Sequence, residues 1–98
     1  MQVVYKNRSL QKVCTDFSAA SRKHGARVAN IIQIRIAQIQ SADNIESMVK
    51  AKVGRCHALK GQREGQYAMD LVHPYRLIFE KLGEVIQIAR IVAIVDYH

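Results

Sequence analysis

The stretch Gln66-Tyr67-Ala68-Met69-Asp70-Leu71-Val72-His73-Pro74-Tyr75-Arg76-Leu77-Ile78-Phe79-Glu80 decides the fold. Tyr67, Met69 and Leu71 alternate with Gln66, Ala68 and Asp70, and His73-Pro74 reads as a turn. Tyr75, Leu77 and Phe79 then alternate with Arg76, Ile78 and Glu80. A period of two marks half-buried strands, so the segment predicts an antiparallel hairpin. If Tyr75, Leu77 and Phe79 face a core, Arg76 points to the opposite face, and Asp70 joins it there from the partner strand.

Working outward, residues 2–6 predict a first strand, and Asn7 is a good N-cap. Leu10, Val13, Cys14, Phe17 and Ala20 then recur at helical spacing, which predicts one amphipathic helix to about Lys23, ended by Gly25. Between Ala26 and Gln40, Ile32, Ile34 and Ile36 alternate with Gln33 and Arg35 as in a strand. The length, the Ala and Gln content, and Val28, Ala29, Ile32, Ile36 and Ile39 on neighbouring helical faces favour a second long helix. Asp43 with Glu46 resembles a capping box opening a short helix to about Lys50. Leu82-Gly83-Glu84 is a turn, and Val85–Val95 forms one long or broken last strand leading to Asp96-Tyr97-His98. The order predicts an α+β fold: an N-terminal strand, then two long helices and one short helix on one face of a small, mainly antiparallel sheet. No repeat or low-complexity linker interrupts residues 1–98, which read as a single domain.

With 98 residues, 49% hydrophobic, the chain is long enough for one modest core. Its net charge of +7 points toward polyanions, and the distribution is sharper than the total. Residues 1–40 carry seven basic side chains against Asp16 alone, and Lys50, Lys52, Arg55, Lys60 and Arg63 precede Glu64 without an acid between them. Cys14 and Cys56 form no CxxC pair and are too few for a stapled secreted scaffold. The apolar run Ile91–Val95 falls far short of the roughly 18 residues of a membrane span, and the start has no signal-peptide core. These features predict a cytoplasmic protein without a membrane partner.

Two imidazoles, a lysine and an arginine are sufficient apparatus for cleaving RNA, and His57, Lys60, Arg76 and His98 are candidates. Such a reaction takes the proton from a ribose 2'-hydroxyl, which attacks the adjacent phosphorus, while a second group protonates the departing 5'-oxygen. Histidine suits both roles near neutral pH, and fixed cations stabilise the charge on the phosphoryl oxygens. The chemistry requires no metal or other cofactor. A last strand ending on an aromatic and an imidazole implies a tail held in place. Other histidines have more ordinary readings: His24 as a cap or dipole partner at a helix end, and His73 as a turn residue. Adjacent Cys56-His57 matches no familiar zinc-ligand spacing, and Cys14 belongs to an apolar stripe.

Taken together, Tyr5-Lys6-Asn7, the run Ala58-Leu59-Lys60-Gly61-Gln62-Arg63-Glu64-Gly65-Gln66, Val72-His73-Pro74-Tyr75-Arg76-Leu77-Ile78-Phe79 and Val95-Asp96-Tyr97-His98 resemble the RelE-like toxin superfamily. Within it they resemble the plasmid-maintenance killer, or HigB-type, branch. The resemblance covers nearly the whole chain and implies a RelE-like fold. The activity it implies is that of an mRNA endoribonuclease, commonly acting in the ribosomal A site, in a type II toxin–antitoxin system. It implies His57, Lys60, Arg76 and His98 as the catalytic set. Arg55, Arg63, Lys50 and Lys52 would contact RNA phosphates, and Tyr97 would stack on a base. It also implies a helix-turn-helix antitoxin (HigA-type), with mRNA and ribosome as targets and operator DNA reached only through the antitoxin.

Two positions depart from the family pattern. Gln62 replaces a common aspartate in a turn that tolerates both. Asp70 stands where a basic residue is common, so it either orients Arg76 through a carboxylate pair or repels phosphate, and orientation is the preferred reading. Two other functions fit the same cationic surface: a gyrase-inhibiting toxin of this fold, and a non-catalytic basic module that binds nucleic acid or the ribosome.

Overall fold

The computed structural model describes residues 1–97. Strand β1 (Gln2–Tyr5) is followed by helices α1 (Arg8–Thr15), α2 (Phe17–His24), α3 (Ala26–Ser41) and α4 (Ile45–Lys50). A single 3₁₀ turn at Val53–Arg55 then leads to β2 (His57–Ala58), and a second one, at Gly61–Arg63, leads to β3 (Gln66–Asp70), β4 (Tyr75–Leu82) and β5 (Ile88–Asp96). The strands form one sheet in the order β1-β5-β4-β3-β2, with β1 parallel to β5 and the other pairs antiparallel. The α+β class and the predicted hairpin are present. The two-residue β2 was not foreseen, because two residues display no period.

The helices and one sheet face enclose a core. Val13, Cys14, Ala20, Val28, Ala29, Ile32, Ile36, Ile39, Ile45 and Met48 meet Met69, Leu77, Phe79, Ala89 and Ile91 there. The ambiguous segment 26–40 is a helix, and burial shows why. Ile32 and Ile36 are buried on one helical face while Ile34, which a strand would bury beside them, is exposed.

The single helix predicted from Asn7 to Lys23 is instead two. Asn7 caps α1 as expected, its side chain accepting from Leu10 N at 2.8 Å. Asp16 then leaves the helical conformation (φ −122°, ψ 106°), and its carboxylate accepts from the Ser18 and Ala19 amides at 3.0 and 3.3 Å. Its own amide still donates to Lys12 O, so one residue closes α1 and opens α2. A short carboxylate competes well for backbone donors, which an apolar periodicity cannot reveal. As a result Phe17, expected in the apolar stripe, is an exposed residue.

Two further boundaries shift. The cap of α4 is Asn44 rather than Asp43, accepting from Ser47 N at 2.8 Å. Glu46 bonds Gln87 instead of closing a capping box, and this hydrogen bond, followed by the charge of Lys81, holds its carboxyl below the usual range. Gln87 also accepts from Ile45 N at 2.8 Å, tying the β4–β5 connection to the start of α4. The last strand accordingly begins at Ile88 rather than Val85, and Val85 and Ile86 stand exposed in the turn. Among the described residues no helix is long and apolar enough to cross a membrane.

Ile78 pairs with Ala93 but Phe79 pairs with Ile91, so Val92 is an extra residue on β5. Such a bulge reverses the side-chain parity of the strand beyond it. Ile91 and Ile94 can thus both reach the core, and Ala93 and Val95 turn to the opposite, open face.

Replacing Asp16 by alanine should remove the junction cap and cost about 1 kcal/mol. Urea unfolding should show a lower midpoint with an unchanged slope. A variant as stable as the parent would show that the helix break does not depend on this carboxylate.

Candidate active site

The open face of the sheet carries polar residues that the register brings into one neighbourhood. His57 lies opposite Ala68, which lies opposite Ile78, and Asp70 lies opposite Arg76, itself opposite Val95. Residues opposite one another share a face, and so do residues two apart, which puts His57, Asp70 and Arg76 on the same side. Strand spacing of about 4.8 Å and a rise of about 3.4 Å per residue put the Cα atoms of His57 and Arg76 roughly 12 Å apart.

Asp70 is the hub. One carboxylate oxygen lies 2.9 Å from Arg55 Nε and the other 3.5 Å from Arg76 Nε. The oxygen facing Arg76 is buried and accepts no well-formed hydrogen bond among the described residues, so its contact with Arg76 is electrostatic. Asp70 therefore lies within ion-pair distance of Arg76, as both of its sequence readings allow, and pairs more closely with Arg55. From the backbone side, Arg35 Nε of α3 donates to Asp70 O at 2.7 Å, while Arg35 Nη1 donates to Gln38 at 3.1 Å.

The loop that delivers Arg55 is unusual. Lys52, Gly54 and Arg55 all have left-handed φ, at 54°, 56° and 55°. For Lys52 and Arg55 this conformation is strained, and such strain collects at functional sites. A side chain at position 54 would meet Arg35 Nε at 2.6 Å, so the loop lies directly against that guanidinium. Arg55 borders two cavities: one of about 590 Å³ shared with Val49, Lys52, Cys56 and His57, and a tight one of about 110 Å³ shared with Asp70, His73, Tyr75 and Arg76. The His57 ring is oriented by a 2.8 Å contact between Nδ1 and Arg55 O, which leaves Nε2 for other partners.

The tail closes the far side. Tyr97 N donates to Pro74 O at 2.8 Å, and the Arg76 guanidinium lies 4.7 Å from the centre of the Tyr97 ring. The expectation of a held tail is met at Tyr97, which is packed yet still 40% exposed.

The remaining expected residues are placed less tightly. Arg63 Nη1 donates to Gln66 Oε1 at 2.9 Å, anchoring it to β3. Lys60 is exposed at the start of the 61–63 turn, Lys50 is exposed at the end of α4, and Lys52 borders the larger cavity. His98 lies outside the described residues. His24 is the last residue of α2, at the helix end as expected, and desolvation, then the charge of Lys23, lowers its pKa, which disfavours the cation a dipole role would use. Its ring instead packs edge-on against Tyr75, with centroids 5.3 Å apart. His73, read as a turn residue, lies in the turn beside the arginine pair. Arg35 had no sequence signal beyond a cation between isoleucines. Among the described residues, no three histidine, cysteine or carboxylate side chains gather at one point.

No family model matches the chain, and no curated protein matches its sequence. The fold itself is that of the RelE-like toxins. A solved YoeB/ParE toxin from Agrobacterium tumefaciens superposes over 100% of both chains with a TM-score of 0.67, at 17% sequence identity.

Two outcomes follow. Gly54→Ala combines an unfavourable φ with a contact on Arg35 and should cost about 1–3 kcal/mol, read by thermal or urea unfolding. Burial pushes the Cys14 thiol up to about 12 and that of Cys56 up to about 11, so native protein near pH 8 should resist iodoacetamide until denaturant is added. Rapid alkylation of the native protein would contradict the buried placement.

Proposed function

We propose that this chain is the HigB-type toxin of a type II toxin–antitoxin pair and that it cleaves messenger RNA, commonly on the ribosome. The observation that carries the reading is that His57 and Arg76 share one open sheet face while Arg55 borders both the cavity of about 590 Å³ beside His57 and the tight one beside Arg76, where Tyr97 offers a ring able to stack on a base. The likeness in fold to a YoeB/ParE toxin and the net charge of +7 support it.

In the proposed reaction one imidazole, His57 or His98, takes the 2'-hydroxyl proton. The 2'-oxygen forms a bond to phosphorus, the bond from phosphorus to the 5'-oxygen breaks, and the other imidazole gives that oxygen a proton. The products are a 2',3'-cyclic phosphate and a 5'-hydroxyl. Arg76 and Lys60 balance the charge on the phosphoryl oxygens, and Arg55, Arg63, Lys50 and Lys52 hold flanking phosphates. Residues 1–98 act as one domain in the cytoplasm. The partner is a helix-turn-helix antitoxin of the HigA type, which covers the basic surface and alone brings the complex to operator DNA.

Induction of the wild-type chain in a bacterial host should arrest growth and produce discrete 5' ends in transcripts mapped by primer extension. His57→Gln and Arg76→Gln should each lower cleavage by about 10²–10⁴-fold, and replacing His98 and Lys60 together should abolish it. Full toxicity in these variants, or inhibited supercoiling by purified gyrase with messages intact, would overturn the nuclease reading.

A further inference from the structure

We propose that the Asp70 carboxylate is a built-in occupant of the anion position between Arg55 and Arg76, and that an RNA phosphate engages the site by drawing Arg55 off it. This rests on the reading of the open-face cleft as the RNA site and adds a control of that site.

The carboxylate sits where the chemistry would place a phosphate. Two guanidiniums reach it from different segments, at 2.9 Å from the 51–56 loop and 3.5 Å from β4. Carboxylate and phosphate compete for the same planar fork of donors. Asp70 itself is fixed. Arg35 holds its carbonyl at 2.7 Å, and the next residue is tied across the hairpin by Leu71 N donating to Tyr75 O at 3.0 Å. Arg76 is also confined, with a side chain only 28% exposed and the Tyr97 ring beside it.

Arg55 is the member free to swing. Its side chain is 68% exposed, and it borders both the tight cavity that contains Asp70 and the larger one that contains Lys52 and His57. A side-chain rotation moves the guanidinium from the first to the second without moving the sheet. An ion pair this exposed is weak enough for an incoming phosphate to break. Until then the two arginines present about one net positive charge instead of two, which lowers the affinity for stray polyanions. Arg55 adds its charge only when a phosphate has entered the larger cavity.

The test uses a short fluorescein-labelled single-stranded RNA with 2'-O-methyl sugars, which binds without being cleaved, and fluorescence anisotropy over a range of KCl concentrations. Asp70→Asn should bind this RNA about two- to fivefold more tightly at low salt, the strength of an exposed ion pair. Asp43→Asn, an equal change of charge on the exposed α3–α4 connection, should not. In an Arg55→Gln background the gain from Asp70→Asn should vanish. In the unaltered protein, saturation with the same RNA should shift the Arg55 side-chain Nε–H resonance. Weaker or unchanged binding by Asp70→Asn, a gain that persists without Arg55, or an unmoved Arg55 resonance would each overturn the proposal. If Arg76→Gln binds as tightly as the parent, the cleft is not the RNA site and the underlying reading fails instead.

Discussion

The packing of α3 on the helix-side face of the sheet is the contact on which the rest of the molecule depends. Ile32, Ile36 and Ile39 join Leu77, Phe79 and Ile91 in one buried cluster. Each of these side chains contributes about 1.5–3 kcal/mol by leaving water. A slip of one residue in β4 would take Leu77 and Phe79 out of that cluster and drive Arg76 into it as an unpaired charge, at a cost of several kcal/mol. Hydrophobic burial therefore locks the register, and the register places Arg76 on the open face opposite Asp70.

The charged cluster has a different task. Its ion pairs are partly exposed, and pairs of that kind contribute only about 0.2–1 kcal/mol each, small beside the core. They serve to position groups. Arg35 crosses from α3 to the end of β3 and lies against Gly54, so one helix side chain packs on the strained 52–55 loop and holds the backbone carbonyl of Asp70, whose carboxylate that loop faces. The stability of the core is thereby used to hold an otherwise unfavourable backbone at the mouth of a cleft.

How much could be read from the chain alone depended on whether a pattern was long enough to have a period. The β3–β4 hairpin has one, and the facing of Arg76 and Asp70 followed from it. Segment 26–40 carried two competing periods, and helical length outweighed the alternation of three isoleucines. Single-residue hydrogen bonding was harder to see: Asp16 splits a helix whose apolar pattern runs straight through it, and Asn44 rather than its neighbour Asp43 caps α4. In the candidate site His57, Arg76 and Tyr97 were found from the family-like pattern. Arg35 and the cavity beside His73 were not, because their importance lies in contacts across 35 residues of sequence or around a turn.

By itself, then, the sequence determined the class of fold, the hairpin and the excess of basic residues, since composition and periodicity are local properties, and its resemblance to a known family named the candidate side chains. Only the tertiary structure decided which of those side chains meet. The bulge at Val92 is the clearest case. Strict alternation from buried Ile91 would send Val95 and Tyr97 toward the helices, whereas the extra residue reverses the parity and lays Tyr97 beside Arg76. No periodicity within β5 specifies that insertion, because it follows from the need to bring both Ile91 and Ile94 to the core while pairing with β4.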